Sequence, residues 1–259
     1  MIDLTLIGIG AGSPEHLTLQ AIREINSADL ILIPRKGADK DDLAELRRRI
    51  CADVLTDSDT RVVEFDMPER DVAAPNYRRG VEDWHDAVAR VWHYEIDAHL
   101  GRHGRVAFLV WGDPSLYDST LRIADRVSRL IPMKVSVVPG ITSIHALAAA
   151  HTITLNRIGG AFTVTTGRRL REEGWPECAD TLAVMLDGEC SFRHIPAEGV
   201  HIWWGAYLGM AGEILASGPL SETEAEIVAL RDAARAERGW IMDIYILRRG
   251  DDTVPAHLG

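Results

Sequence analysis

The chain reads as an α/β protein of two unequal domains, and three observations carry that expectation. Short apolar runs alternate with stretches of helical periodicity through the first half. Tight glycine-containing turns follow three of those runs, where a parallel sheet opens its ligand crevice. Beyond about residue 155 the texture changes to shorter β runs, which places the domains at 1–155 and 156–259. Residues 4–9 form the first strand, and Ser13 is placed to cap a helix with Pro14 at its first position and Glu15 complementing the positive helix end. Leu17, Ile22 and Ile25 then make an apolar stripe, and residues 29–33 a buried strand stopped by Pro34. A helix over 39–52 turns Leu43, Leu46 and Ile50 inward, and 61–65 is again a strand.

The turn-rich stretch 66–75 leads into a long helix over 76–103, in which Val81, Trp84, Val88, Val91, Trp92, Ile96 and Leu100 recur at three- and four-residue spacing. Strand 106–111, helix 116–130, strand 135–138 and the small-residue helix 143–150 complete the first domain, and 151–158 connects it to the second. There the strands are 161–165, 181–186, 200–204 and 241–247. Helices lie between them, the clearest over 222–238 with Ala225, Val228, Ala229 and Ala233 as its apolar face.

At 259 residues the chain has room for two ordinary cores, and its 46% apolar and 26% charged residues are those of a soluble globular protein. No apolar run approaches the roughly 20 residues of a membrane helix, and no signal-like segment opens the chain, so the expected compartment is the cytoplasm. Cys51, Cys178 and Cys190 are odd in number and far apart, which suggests neither a disulfide framework nor a cysteine metal site. His99 and His103 have the spacing of two metal ligands but no evident third, so no metal is expected. A net charge of −11 argues against nucleic-acid binding. An anionic ligand would then need a locally basic site; Arg35-Lys36, Arg78-Arg79 and Arg168-Arg169 with Arg171 are the candidates.

Three motifs carry the chemistry. Gly8, Gly10 and Gly12 follow the first strand, with Ser13 where a dinucleotide fingerprint places its third glycine. Gly112-Asp113-Pro114-Ser115-Leu116-Tyr117 ends the run 105–111, and Pro139-Gly140-Ile141-Thr142-Ser143 follows another strand. If those strands are neighbours the three turns converge, and Asp113 can order its own turn, accept a hydrogen bond from a ligand, or both.

This set of turns resembles the tetrapyrrole methylase family, and the resemblance spans nearly the whole chain. Met67-Pro-Glu-Arg-Asp71, Trp111 to Asp118, Thr165-Thr-Gly-Arg168 and Val184-Met-Leu-Asp-Gly188 resemble a branch that methylates precorrin-5 at C-1 and releases its acetyl group as acetate. The resemblance implies a two-domain tetrapyrrole methylase-like fold, mostly parallel in the first domain and mixed in the second, with the ligand cleft between them. It implies S-adenosylmethionine as methyl donor, an anionic tetrapyrrole as acceptor, and a homodimer, with neither nucleic acid nor membrane as partner. By motif, Ala11, Gly112, Asp113, Leu116, Tyr117, Thr142 and Ser143 are the donor-binding candidates of the first domain. Met185, Leu186, Tyr207, Leu208 and Met242 are those of the second.

Alignment of a sulfonium with a nucleophile needs little acid or base help, whereas acetyl loss benefits from a general base. Tyr117 and His145 are the candidates for that role, and Arg70 and Arg168 for clamping substrate carboxylates. Three rival readings remain: a sister methylase acting on another precorrin carbon, a nicotinamide-dependent oxidoreductase using Gly8-x-Gly10-x-Gly12, and a non-catalytic corrinoid-binding module. The residue at position 13 and a second strand ending in Ile33-Pro34 rather than an acid count against the oxidoreductase.

Overall fold

The computed structural model describes residues 1–35, 41–56, 59–70 and 77–250; Lys36, residues 71–76 and the side chain of Arg78 lie outside them. Its contacts divide the chain into two units, Met1–Thr142 and Ser143–Gly259. The sequence places this boundary later, after residue 155. The helix Ser143–Ala150 explains the difference, because it packs on two strands of the second unit.

The first unit holds β1 (Ile2–Gly8), α1 (Leu19–Ser27), β2 (Leu30–Arg35), α2 (Asp41–Val54), β3 (Arg61–Asp66), α3 (Tyr77–Leu100), β4 (Gly104–Val110), α4 (Thr120–Ser128) and β5 (Met133–Val138). Its five strands run in the order β3-β2-β4-β1-β5, all parallel. Leu4 and Leu6 join one apolar cluster with Val88, Trp92 and Ile96 of α3, while Ile7 joins another with Ile25 of α1 and Ile50 of α2. Burial on both faces is what makes these strands read as continuous apolar runs.

Three local expectations are corrected here. Ser13 caps only a 3₁₀ turn, Pro14–His16, and α1 starts at Leu19 with Thr18 as its cap. Pro34 lies inside β2 rather than ending it. Pairing with β4 stops at Leu32, so Pro34 keeps only β3 as neighbour and its missing N–H costs no ladder bond on the other side. Helix α4 begins at Thr120, not near residue 116, because Asp118 accepts from the Thr120 N–H at 2.6 Å and from its hydroxyl.

The second unit holds α5 (Ser143–Ala150), β6 (Phe162–Thr166), α6 (Gly167–Glu173), β7 (Thr181–Met185), β8 (Val200–Ala206), β9 (Ile214–Pro219), α7 (Leu220–Arg238) and β10 (Asp243–Arg249). The strand order is β6-β7-β10-β8-β9, with only β6 and β7 parallel. Edge strand β9 was not expected, since its sequence Ile-Leu-Ala-Ser-Gly-Pro has no clean alternation, and it joins β8 directly without an intervening helix. The expected apolar face of α7 is also corrected. Ala225, Ala229 and Ala233 are exposed, whereas Leu220, Thr223, Ile227, Arg231 and Ala234 are buried. A charged residue on the inward face hid it from a hydrophobicity reading.

Candidate functional site

In the first unit the three predicted turns come together at the carboxyl ends of β1, β4 and β5. Gly10 and Gly112 pair as an isolated bridge, with Gly112 N donating to Gly10 O at 2.8 Å. Gly8 lies against Gly140 so closely that a Cβ on Gly140 would stand 2.1 Å from the Gly112 oxygen and 2.8 Å from Gly8 Cα. No side chain fits at that junction. Gly112 itself has φ +66°, and a Cβ built there would meet nothing within 4 Å. Positive φ, not crowding, is therefore what calls for glycine at this position.

Asp113 fixes the junction. Its carboxylate accepts from Ser115 N at 2.8 Å, from the Ser115 hydroxyl, and from Gly140 N at 2.9 Å, which ties the β4 turn to the β5 turn. Burial acts to raise its pKa, but the Ser115 hydroxyl and the Gly140 and Ser115 N–H groups hold the carboxyl below the usual range. Of the two roles open to Asp113 from sequence, ordering the turn is thus the one its contacts express. Buried Arg47 of α2 braces the strand from behind, donating from Nε to Leu109 O at 2.8 Å and from Nη1 to Leu43 O at 2.7 Å. Burial lowers its pKa to about 10, with the Asp118 carboxylate opposing.

Around this junction Ala11 is buried, Leu116 and Thr142 are half-buried, and Tyr117 is exposed at φ +49°. A non-glycine residue in the left-handed region costs about 1–2 kcal/mol. Of the five such residues among those described, Tyr117, Leu186 and Tyr207 are three of the predicted site residues. Strain of this kind concentrates at functional sites.

Leu186 and Tyr207 belong to a second cluster, within the second unit. The register Val184↔Tyr245 and Ala206↔Asp243 puts the end of β7, the end of β8 and the start of β10 on one sheet edge. Met185, Leu186, Tyr207, Leu208 and Met242 all lie there, and Tyr207 N donates to Met242 O at 3.0 Å. The side chain of Tyr207 points into the core, where its hydroxyl donates to Trp240 O at 2.6 Å and Arg238 stacks on its ring. It presents backbone, not a phenol, at the edge.

Sequence reading missed what holds this edge. Asp187 is buried and accepts from Glu189 N at 3.1 Å, Ser191 N at 2.5 Å, Ser191 Oγ at 2.8 Å and Tyr245 Oη at 2.7 Å. Burial pushes its pKa up, but the Tyr245 hydroxyl and the Ser191 and Glu189 donors hold it below the ordinary value. Arg231 donates from Nη2 to the Asp187 carbonyl at 2.9 Å and from Nε to Asp243 Oδ2 at 3.0 Å, and Trp204 Nε1 donates to the same Asp243 oxygen at 3.0 Å. Only Asp187 had a sequence signal, the Val184 to Gly188 motif.

His145 lies exposed on α5 in the second unit, and Arg168 is exposed on α6, just past β6. Within the basic cluster around it, Arg169 pairs with Glu173 at 2.6 Å and Arg171 donates to Ser191 Oγ at 2.9 Å. Arg70 is exposed beyond β3, and Arg35 is engaged by Asp66 at 2.9 Å. His99 pairs with Glu95 at 3.5 Å, and among the described residues no three His, Cys, Asp or Glu are grouped to hold a metal ion.

The chain is 49% identical over 254 residues to a precorrin-6A synthase (deacetylating) from Sinorhizobium, covering 97% of both chains. The crystal structure of a cobalamin-synthesis-related protein (CobF) from Corynebacterium diphtheriae superposes with a TM-score of 0.83 at 38% identity, covering 97% of this chain and 100% of that one. A uroporphyrin-III C-methyltransferase from Thermus thermophilus, solved with S-adenosylhomocysteine, shares the fold with a TM-score of 0.58 at 20% identity over 95% of this chain and 92% of that one. The profile of the tetrapyrrole (corrin/porphyrin) methylases matches residues 3–224, and this chain belongs to that family.

Proposed function

We propose that this chain is an S-adenosylmethionine-dependent methyltransferase of cobalamin biosynthesis, which methylates precorrin-5 at C-1 and releases its acetyl group as acetate to give precorrin-6A. The match to the Sinorhizobium synthase over 97% of both chains carries the substrate. The close-packed junction of Gly8, Gly112 and Gly140, with open space above Gly112, supports a ligand seated on backbone at the strand ends.

The residues proposed for donor binding are, in the first unit, Ala11, Gly112, Asp113, Leu116, Tyr117 and Thr142 and, in the second unit, Ser143 with the edge residues Met185, Leu186, Tyr207, Leu208 and Met242. Its sulfonium brings an electrophilic methyl group, so the protein's part is alignment and exclusion of water. Acetyl loss asks for more. Water adds to the acyl carbon, its proton passing to a base; the carbon–carbon bond breaks, acetate leaves, and the electron pair stays on the ring carbon that accepts the methyl group. Tyr117 and His145 are the proposed proton-handling groups, and the exposed guanidinium groups of Arg70 and Arg168 the proposed carboxylate clamps. Three free cysteines suit a cytoplasmic protein, and no helix among the described residues is long and apolar enough to cross a membrane. We propose a homodimer, which sedimentation would test.

Calorimetric titration with S-adenosylhomocysteine tests the donor site. Asp113→Ala should weaken binding about tenfold by releasing the tie between the β4 and β5 turns, with a loss of stability alongside it. Unchanged affinity would remove this assignment. Arg168→Ala should raise the tetrapyrrole KM and leave donor affinity near wild type, and equal losses of both would contradict its role.

A further inference from the structure

Leu186 poses a physical question. It is 67% exposed and sits at φ +53°, so it gains no burial to offset a conformation that leucine disfavours. Something else must hold it. The next residue, Asp187, has its carboxylate saturated by four donors and its carbonyl fixed by Arg231. Space for that carboxylate is reserved by Gly167 at the start of α6, where a Cβ would stand 2.2 Å from it.

The same network reaches the other two segments of the edge. Arg231 is shared with Asp243, the residue after Met242, and Asp243 also receives Trp204, three positions before Tyr207. An apolar core of equal volume is often at least as stable as a buried ionic network, so stability alone does not explain this one. What the network does supply is a single fixed conformation for three chain segments at once.

We propose that Asp187 is a positioning residue for methyl-donor binding, holding the Leu186 backbone in its left-handed conformation at the sheet edge. This rests on the donor-site reading above. A double-mutant cycle tests it, because glycine adopts positive φ without help. Asp187→Ala should weaken S-adenosylhomocysteine binding about tenfold with leucine at 186, and less than about threefold in an L186G background. A purely structural role predicts equal losses in both backgrounds, and that result, or no loss at all, would overturn the proposal while leaving the donor site standing. Wild-type protein that fails to bind S-adenosylhomocysteine would instead overturn the donor site and this role with it. Should Asp187→Ala not fold, Tyr245→Phe removes one of the four donors, and its smaller loss of affinity should likewise shrink in the L186G background.

Discussion

The two sheets fix their strand-end turns by opposite means. In the parallel sheet the turns are held by backbone packed against backbone, Gly140 on Gly112 and Gly8, with one partly exposed carboxylate, Asp113, as the tie. In the mixed sheet the turns are bulkier and strained, and a buried network of Asp187, Arg231, Asp243, Tyr245 and Trp204 holds them. The first arrangement leaves no room for an atom added at Gly8 or Gly140. The second depends on side-chain partners brought together from distant positions.

Breaking the network should have the largest effect. Arg231→Met leaves Asp243 buried and uncompensated, and a loss of about 3–5 kcal/mol is expected in urea unfolding. The double variant R231M/D243L should recover part of it, since it removes the unpaired charge but leaves Trp204 Nε1 and the Asp187 carbonyl without these partners; no recovery would mean the network is held by more than charge balance. Gly140→Ala is the corresponding break in the first sheet. Its Cβ meets only backbone, so a cost of about 2–3 kcal/mol is expected together with loss of measurable donor binding. Wild-type affinity in a folded Gly140→Ala protein would show that the junction does not serve the donor.

These two breaks also show what was legible in the sequence. The junction is written locally, as glycine, aspartate and proline at the ends of apolar runs, so its turns could be named from residue types and position, while the donor role of Asp113 came from motif resemblance. The network is written in residues scattered between Asp187 and Tyr245. Arg231 drew no reading from the sequence, because burial of a charge shows only when Asp243 is brought beside it. The second-unit edge residues came from motif resemblance, and the registers of β7, β8 and β10 gave the reason they belong together. The missed strand β9 and the later domain boundary have one cause: weakly patterned segments are assigned by what they pack against.

A smaller contrast appears on acidification. His85 is buried on α3 with neither ring nitrogen hydrogen-bonded among the described residues, and burial, then Arg126, lowers its pKa; Arg122 acts in the same sense while Glu82 and Asp86 oppose. His201 in the second unit is lowered by burial, then by Arg248 and His151. The unfolded chain takes up these protons from about pH 6.5 and the folded chain resists them, so stability should be fully present above that pH and fall as pH drops below it. His85→Phe should flatten part of that slope and add about 1 kcal/mol at pH 7 by removing unpaired buried nitrogens. An unchanged acid limb would place the lability elsewhere. Smallest of all, Ser115→Ala removes one of three donors to Asp113 and should cost about 0.5–1 kcal/mol, with donor affinity falling less than about threefold.

The decisive measurement is the stoichiometry of one turnover: purified protein with precorrin-5 and S-adenosylmethionine, with acetate and transferred methyl groups counted together. One acetate released for each methyl group transferred to C-1 is the expected result. Methylation without acetate, or at another ring carbon, would make this a sister methylase, and no transfer at all would contradict precorrin-5 as the acceptor.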